Sequence, residues 1–181
     1  MKLLIASDLH GSEYYTRLLL ERYTHESADR LLLLGDLLYH GPRNDLPRDY
    51  DTKKTAALLN ALEKKPLCVR GNCDGEVDQM VLDFPILADF AAVMSGERLL
   101  YLTHGHHLEE AAENVAPGDV ILCGHTHVPD FTLRDGVYFI NPGSVSIPKG
   151  GSPHSYILFD DGVFRWKDVL TGNTWREESM G

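Results

Sequence analysis

Met1-Lys2-Leu3-Leu4-Ile5-Ala6-Ser7-Asp8-Leu9-His10-Gly11 opens the chain with an apolar run that stops at a carboxylate, an imidazole and a glycine. A short, unbroken apolar run bounded by turn signals reads as a buried strand. Polar groups at the carboxyl end of such a strand lie where open α/β sheets bind their ligands. Asp8 and His10 are two residues apart, so on extended backbone they point to one side.

The same design returns four times. Leu31 to Leu34 ends at Gly35-Asp36, and Leu67 to Arg70 ends at Gly71-Asn72-Cys73-Asp74. Arg98 to Thr103 ends at His104-Gly105-His106, and Val120 to Cys123 ends at Gly124-His125-Thr126-His127. Helical spacing of apolar residues over Tyr14 to Tyr23 and Thr52 to Glu63 separates the first three strands. That β-α-β-α-β order predicts an α/β layered fold. The second half is richer in strands. Ala91 to Met94 pairs with Arg98 to Thr103, Phe131 to Leu133 with Val137 to Ile140, and Ser155 to Phe159 with Phe164 to Val169, each pair around a Gly-containing turn. Leu108 to Asn114 is a short helix candidate, and the polar residues after Thr171 are expected to be loosely ordered. His40 to Asp51 is the one long polar connection; it reads as a solvated loop and follows a candidate site residue, which puts it beside the pocket.

The chain has 181 residues, enough for one domain spanning 1–181 with a sizeable core. Its 43% hydrophobic and 24% charged residues are ordinary for a globular protein. A net charge of −10 argues against general nucleic-acid binding, which needs a basic surface. Small phosphate esters stay open, because bound metals supply local positive charge. No stretch reaches the length of a membrane span. The first apolar run ends at Asp8 without a cleavage site, so a cytoplasmic protein is expected. Cys68, Cys73 and Cys123 are an odd number at irregular spacing, which fits reduced thiols, with Cys68 and Cys123 as small core residues.

Carboxylate, imidazole and amide oxygen together suit manganese, iron or zinc. The candidates exceed what one tetrahedral ion needs, so two ions are the economical reading. Each motif alone is weak; a lone Gly-Asp after a strand is usually a turn. Five in order at strand ends make chance a poor account. His25, His40 and His154 carry no motif and read as solvated, and His107 as a residue at a helix start. His106 can reach substrate or orient a ligand, and Arg43 and Lys149 can meet a phosphate or serve as surface charges. Asp74 either orients Cys73 or caps the next helix. Apolar residues from Phe84 to Phe90 could form a subunit contact or belong to the core, so a homo-oligomer remains open.

The order Asp-x-His, Gly-Asp, Gly-Asn-x-Asp, His-Gly-His, Gly-His-x-His resembles the signature of the calcineurin-like metallophosphoesterase superfamily. Within it, His40 to Asn44, Val69 to Met80 and Asn141 to Pro148 resemble the small YfcE-type phosphodiesterases. The resemblance implies a four-layer sandwich of two mixed β-sheets flanked by helices. It implies two divalent ions, manganese first, with nickel, cobalt, iron or zinc also accepted. Asp8, His10 and His127 would hold one ion, Asn72, His104 and His125 the other, and Asp36 would bridge. The implied chemistry is hydrolysis of a small phosphodiester by a hydroxide shared between ions roughly 3.5–4 Å apart. Asn72, Cys73, Asp74 and His104 are then the candidate catalytic residues, with His106 and Arg43 as candidate substrate contacts. Many members carry His where Cys73 stands, and a thiol is the poorer acid, so Cys73 is expected to favour esters with good leaving groups. A phosphomonoesterase or protein phosphatase is the alternative chemistry. A protein-binding scaffold like the retromer subunit is the alternative outside catalysis.

Overall fold

The computed structural model describes residues 1–180. The first strand forms as expected: β1 (Lys2–Ala6) is followed by α1 (Glu13–His25), β2 (Arg30–Leu33), α2 (Thr52–Asn60) and the two-residue β3 (Leu67–Cys68). A single turn, α3 (Glu76–Gln79), precedes the hairpin β4 (Ala91–Ser95) and β5 (Arg98–Leu102). Next come α4 (Leu108–Ala112), β6 (Val120–Leu122), β7 (Asp130–Arg134) and β8 (Val137–Asn141). The chain closes with β9 (Ser155–Asp160), β10 (Val163–Asp168) and β11 (Thr174–Ser179).

Two mixed sheets result. One runs β11-β10-β9-β1-β2-β3 and the other β4-β5-β6-β8-β7. The parallel pairs β1–β2, β2–β3, β5–β6 and β6–β8 bring their carboxyl ends to one edge. Alternation along β1 sorts the layers. Leu3 and Ile5 join Leu100, Leu122, Ile140, Phe159 and Trp166 in the core between the sheets. Leu4 and Ala6 face the other way, onto Tyr15 and Leu19 of α1 and Ala56 and Leu59 of α2. On the far side, Ala111 of α4 packs on Tyr101, Ile121 and Cys123. Helix, sheet, sheet, helix is the four-layer sandwich that the resemblance implied.

Helix α1 starts where Ser12 accepts the Tyr15 backbone N–H, and α2 where Asp51 accepts that of Lys54. Three expectations fail. His40 is not solvated: its ring packs edge-on to Tyr39 and Tyr50, and its Nδ1 is buried. Residues after Thr171 are ordered as β11, an edge strand paired to β10 from Val163↔Ser179 to Lys167↔Thr174. Most of its side chains face solvent, so it carries no apolar signal. His154 is not solvated: it stacks on Tyr15 with ring centroids 4.0 Å apart, and its Nδ1 bonds the Val145 carbonyl at 2.9 Å. Phe84 and Ile86 belong to the core, while Phe90 is exposed and stacks on Tyr101. Among the described residues no helix is long and apolar enough to cross a membrane.

Candidate metal centre

Three of the strands, β1, β2 and β6, end by turning sharply, and these turns themselves carry candidate ligands. Asp8, His10, Asp36, His125 and His127 all have positive φ, between 47° and 67°. Asp, Asn and His tolerate this left-handed backbone better than other side chains, and its use is commonly concentrated at functional sites. The turns pack without spare room. A Cβ on Gly71 would lie 2.1 Å from Asp36 Oδ1, and one on Gly124 would lie 1.9 Å from Ser7 Oγ.

The imidazoles are aimed by backbone carbonyls. Nδ1 of His10 is 2.8 Å from the Tyr39 carbonyl, Nδ1 of His104 is 2.6 Å from that of Leu34, and Nδ1 of His127 is 2.6 Å from that of Ile147. A carbonyl only accepts, so each Nδ1 carries the hydrogen and each Nε2 turns toward the carboxylates. Histidines that ligate metals are oriented in this way. The His10 and His127 Nε2 atoms lie 3.5 and 3.3 Å from Asp8 Oδ1. The His10 and His104 Nε2 atoms lie 3.8 and 3.5 Å from Asp36 Oδ2. Asn72 Oδ1 is 3.0 Å from His104 Nε2.

Ligand atoms of Asp8, His10 and His127 all lie within 4.8 Å of one another, as do those of Asp8, Asp36 and His104. A third such group joins His10, Asp36 and Cys73. His125 is in none of these groups; its half-buried ring stands edge-on to His104, centroids 5.1 Å apart. Asp8 Oδ1 is buried without a hydrogen-bond donor, which is costly unless a cation meets it. That orphaned oxygen, ringed by imidazole Nε2 atoms that offer lone pairs once their protons are displaced, fits a divalent ion.

The electrostatics follow from crowding. Burial pushes the Asp8 carboxyl up, but His10 and His127 outweigh it and hold Asp8 far below the usual carboxylate range. Burial likewise opposes ionisation of Asp36, and His104 beside it overcomes the cost and holds it low. Burial would lower His104, yet Asp36 and Asp8 lift it to about 9. His106 and His125 are lowered, first by burial and then by the positive His104. Burial and then the charge of Asp36 push the Cys73 thiol up to about 12, so it keeps its proton.

Asp74 does not cap the following helix. The cap of α3 is Gly75, whose N–H is taken by Asp78. Asp74 is buried and accepts three backbone N–H groups: Gly71 at 2.7 Å, Asp36 at 2.8 Å and Leu37 at 2.9 Å. It ties the second site turn to the third, while Cys73 N–H donates to Asp36 Oδ1 at 2.8 Å. Arg43 and Lys149 line the cavity that holds Asp36, Asn72, Cys73, His125 and His127, so both stand at the site mouth. His106 is exposed on the other side of Asn72, its ring 5.5 Å from that of His104.

The structure adds supports that motif reading passed over. Ser144 and Ser146 both donate to the Asp8 carbonyl, at 2.8 and 3.0 Å. Asn141 Nδ2 donates to the Gly124 carbonyl at 2.7 Å and to Thr126 Oγ1 at 3.1 Å. They lie in the Asn141 to Pro148 run; the signal was present there, but nothing in it told which groups the side chains hold.

A sequence profile of the calcineurin-like phosphoesterase superfamily domain matches residues 1–161. Phosphodiesterase YfcE of Escherichia coli strain K12 is 48% identical over 164 residues, 90% of this chain and 89% of its own. A solved structure of YfcE, described as a phosphoesterase from E. coli, superposes with a TM-score of 0.94 at 43% identity over the whole of both chains. Vps29 of Entamoeba histolytica, solved in complex with zinc, shares the fold at a TM-score of 0.63 and 18% identity, covering 99% of this chain and 98% of that one. From the left-handed turns to these matches, the observations agree: the chain belongs to the calcineurin-like phosphoesterase superfamily.

Proposed function

We propose that this chain hydrolyses small phosphodiesters at a centre of two divalent ions. That it is a phosphoric diester hydrolase rests on its superfamily and on its 48% identity to phosphodiesterase YfcE. The two-ion reading rests on one observation: Nε2 of His10, His104 and His127 converge on two buried carboxylates, and one oxygen of Asp8 has no donor. Asp8, His10 and His127 would hold one ion, Asn72, His104 and His125 the second, with Asp36 between. When bound, such ions lower the pKa of a water and offset charge on phosphoryl oxygens.

The chain's own residues prepare the rest. The carbonyls of Tyr39, Leu34 and Ile147 fix three imidazoles before any ligand arrives, so little ordering cost is left for binding. Asp74 holds the Asp36 and Gly71 turns together and is a positioning residue. Arg43 and Lys149 favour an anionic ester at the mouth of a chain whose net charge is −10. Cys73 keeps its proton and offers only a weak hydrogen bond, which suits esters whose leaving groups need little acid help. His106 is available to contact the ester from the side of Asn72. Manganese is the ion we favour, residues 1–181 the catalytic domain, and a reducing, cytoplasmic setting the location that three free cysteines support.

The test strips metal from the protein, restores manganese, and compares an activated phosphodiester with its monoester. Diester cleavage that returns with manganese and is lost in a folded Asp36→Asn variant supports the reading. Faster monoester cleavage would make the chain a phosphomonoesterase. Tight metal binding with no turnover on manganese, nickel, cobalt or zinc would leave a scaffold.

A further inference from the structure

Beside the metal centre, on the Cys73 side, a groove of about 730 Å³ runs between α2 and α3. Its walls include Leu38, Tyr39, Tyr50, Ala57, Val77 and Val81. The wall is mostly apolar, with Thr52, Lys53, Asn60 and Asp78 also on it, and it is open to water: Tyr39 is 43% exposed, Val81 52% and Val77 72%. Cys73 lines both this groove and the cavity over Asp36, Asn72, His125 and His127, so the two spaces share a wall. Tyr39 joins them a second time, with its side chain on the groove and its carbonyl on His10. The cleft on the opposite side of the centre is different. It shares Asn72 and is lined by Phe90 stacked on Tyr101 but also by Arg70, Asp89, His106 and Glu110, so that more of its surface is polar and water stays close.

We infer that the groove is a subsite for one ester arm of the substrate, and that this arm is aromatic or similarly apolar. The inference rests on the phosphodiesterase reading and adds a substrate class to it. A diester whose phosphoryl group lies over Asp36 and His127 must send its two arms away from the ions. The arm on the Cys73 side meets tyrosine rings and aliphatic side chains, and leaves water on entering. The arm on the Asn72 side meets a wall that is charged and polar over more of its surface, with Phe90 and Tyr101 as its aromatic part. The site therefore discriminates the two ends of an unsymmetrical diester. Cys73 permits the arm to pass, being a small side chain at the seam between the spaces.

Inhibition of bis(p-nitrophenyl) phosphate hydrolysis by diphenyl phosphate and by dimethyl phosphate tests this with manganese-loaded protein. Partial burial of one ring predicts that diphenyl phosphate inhibits about tenfold more tightly, equivalent to about 1.4 kcal/mol. Ala57→Trp fills the groove from the exposed face of α2, and Val77→Asp makes its opposite wall polar. Each should bring the two inhibition constants to within about twofold while leaving that of dimethyl phosphate unchanged. Hydrolysis with equal constants in the unmodified protein overturns the subsite and leaves the phosphodiesterase reading intact. Absence of hydrolysis overturns both. A dimer in sedimentation that dissociates on Val77→Asp, with no preference for diphenyl phosphate, would show instead that a second copy of the chain covers the groove.

Discussion

Replacing Asp74 by asparagine separates two roles that one carboxylate can play. As a positioning group, Asp74 works through its three backbone partners. Oδ2 receives the N–H groups of Asp36 and Gly71, and Oδ1 that of Leu37. The amide oxygen of asparagine can replace Oδ2 and keep two of these bonds. Its NH₂ group then faces the Leu37 N–H, donor against donor, in a buried place. One buried donor left unsatisfied costs about 2 kcal/mol. For a chain of this length that corresponds to a fall in melting temperature of roughly 4–8 °C. The Asp36 turn shifts with it, and a displacement approaching 1 Å lowers turnover by about 100-fold. The assay pairs thermal unfolding with manganese-dependent diester hydrolysis. Activity and stability should fall together, and Asp74→Glu, which keeps the charge but displaces the oxygens, should not rescue either. Loss of turnover with an unchanged melting temperature would refute the bracing argument and leave Asp74 as the group that orients Cys73.

Gly71→Ala drives a methyl group to within 2.1 Å of Asp36 Oδ1. It should leave the sheets folded by circular dichroism yet lower turnover by about 100-fold, with metal affinity falling in calorimetry. Arg43→Ala with Lys149→Ala removes both cations from the site mouth. KM should rise several-fold with kcat nearly constant, and the difference should shrink in high salt, as for steering rather than chemistry. Far from the site, half-buried Glu26 pairs with Lys167 and accepts the Tyr156 hydroxyl at 3.0 Å. Burial opposes its charge, but Lys167 and Tyr156 prevail and hold its pKa below the ordinary 4.5. A lowered carboxyl stabilises the fold above its unfolded pKa, and that contribution is lost as pH falls through the folded value. Glu26→Gln should therefore cost about 2 kcal/mol at pH 7 in denaturant titrations, with the gap to the parent closing below pH 4.5.

Much of the fold was readable because buried strands leave a plain mark. Leu3 to Ala6, Leu31 to Leu34 and Val120 to Leu122 are apolar without interruption, and each is followed within two residues by glycine or aspartate. The strand β11 left no such mark, since Thr174 to Ser179 lies at a sheet edge and is held by backbone bonds. The sequence Asp-x-His and Gly-His-Thr-His proposed shared sites, and Asp8, His10 and His127 do meet. Spacing alone did not show that His125 stands farther out than His127. Nor could it assign Asp74, Ser144 and Ser146. A side chain that bonds the backbone of a distant turn produces no periodicity, and its partner is known only when both turns are in place. Lys149 shows the same limit: as a surface charge it is unremarkable until the chain carries it to the cavity that Arg43 also lines.

Electron paramagnetic resonance of the manganese-loaded protein tests the paired centre most directly. If Asp36 bridges two ions, titration to about two equivalents should give the broad spectrum of an exchange-coupled pair. Asp36→Asn should then give only the six-line signal of isolated manganese. An uncoupled six-line signal in the unmodified protein, with binding saturating at about one equivalent, would contradict the account.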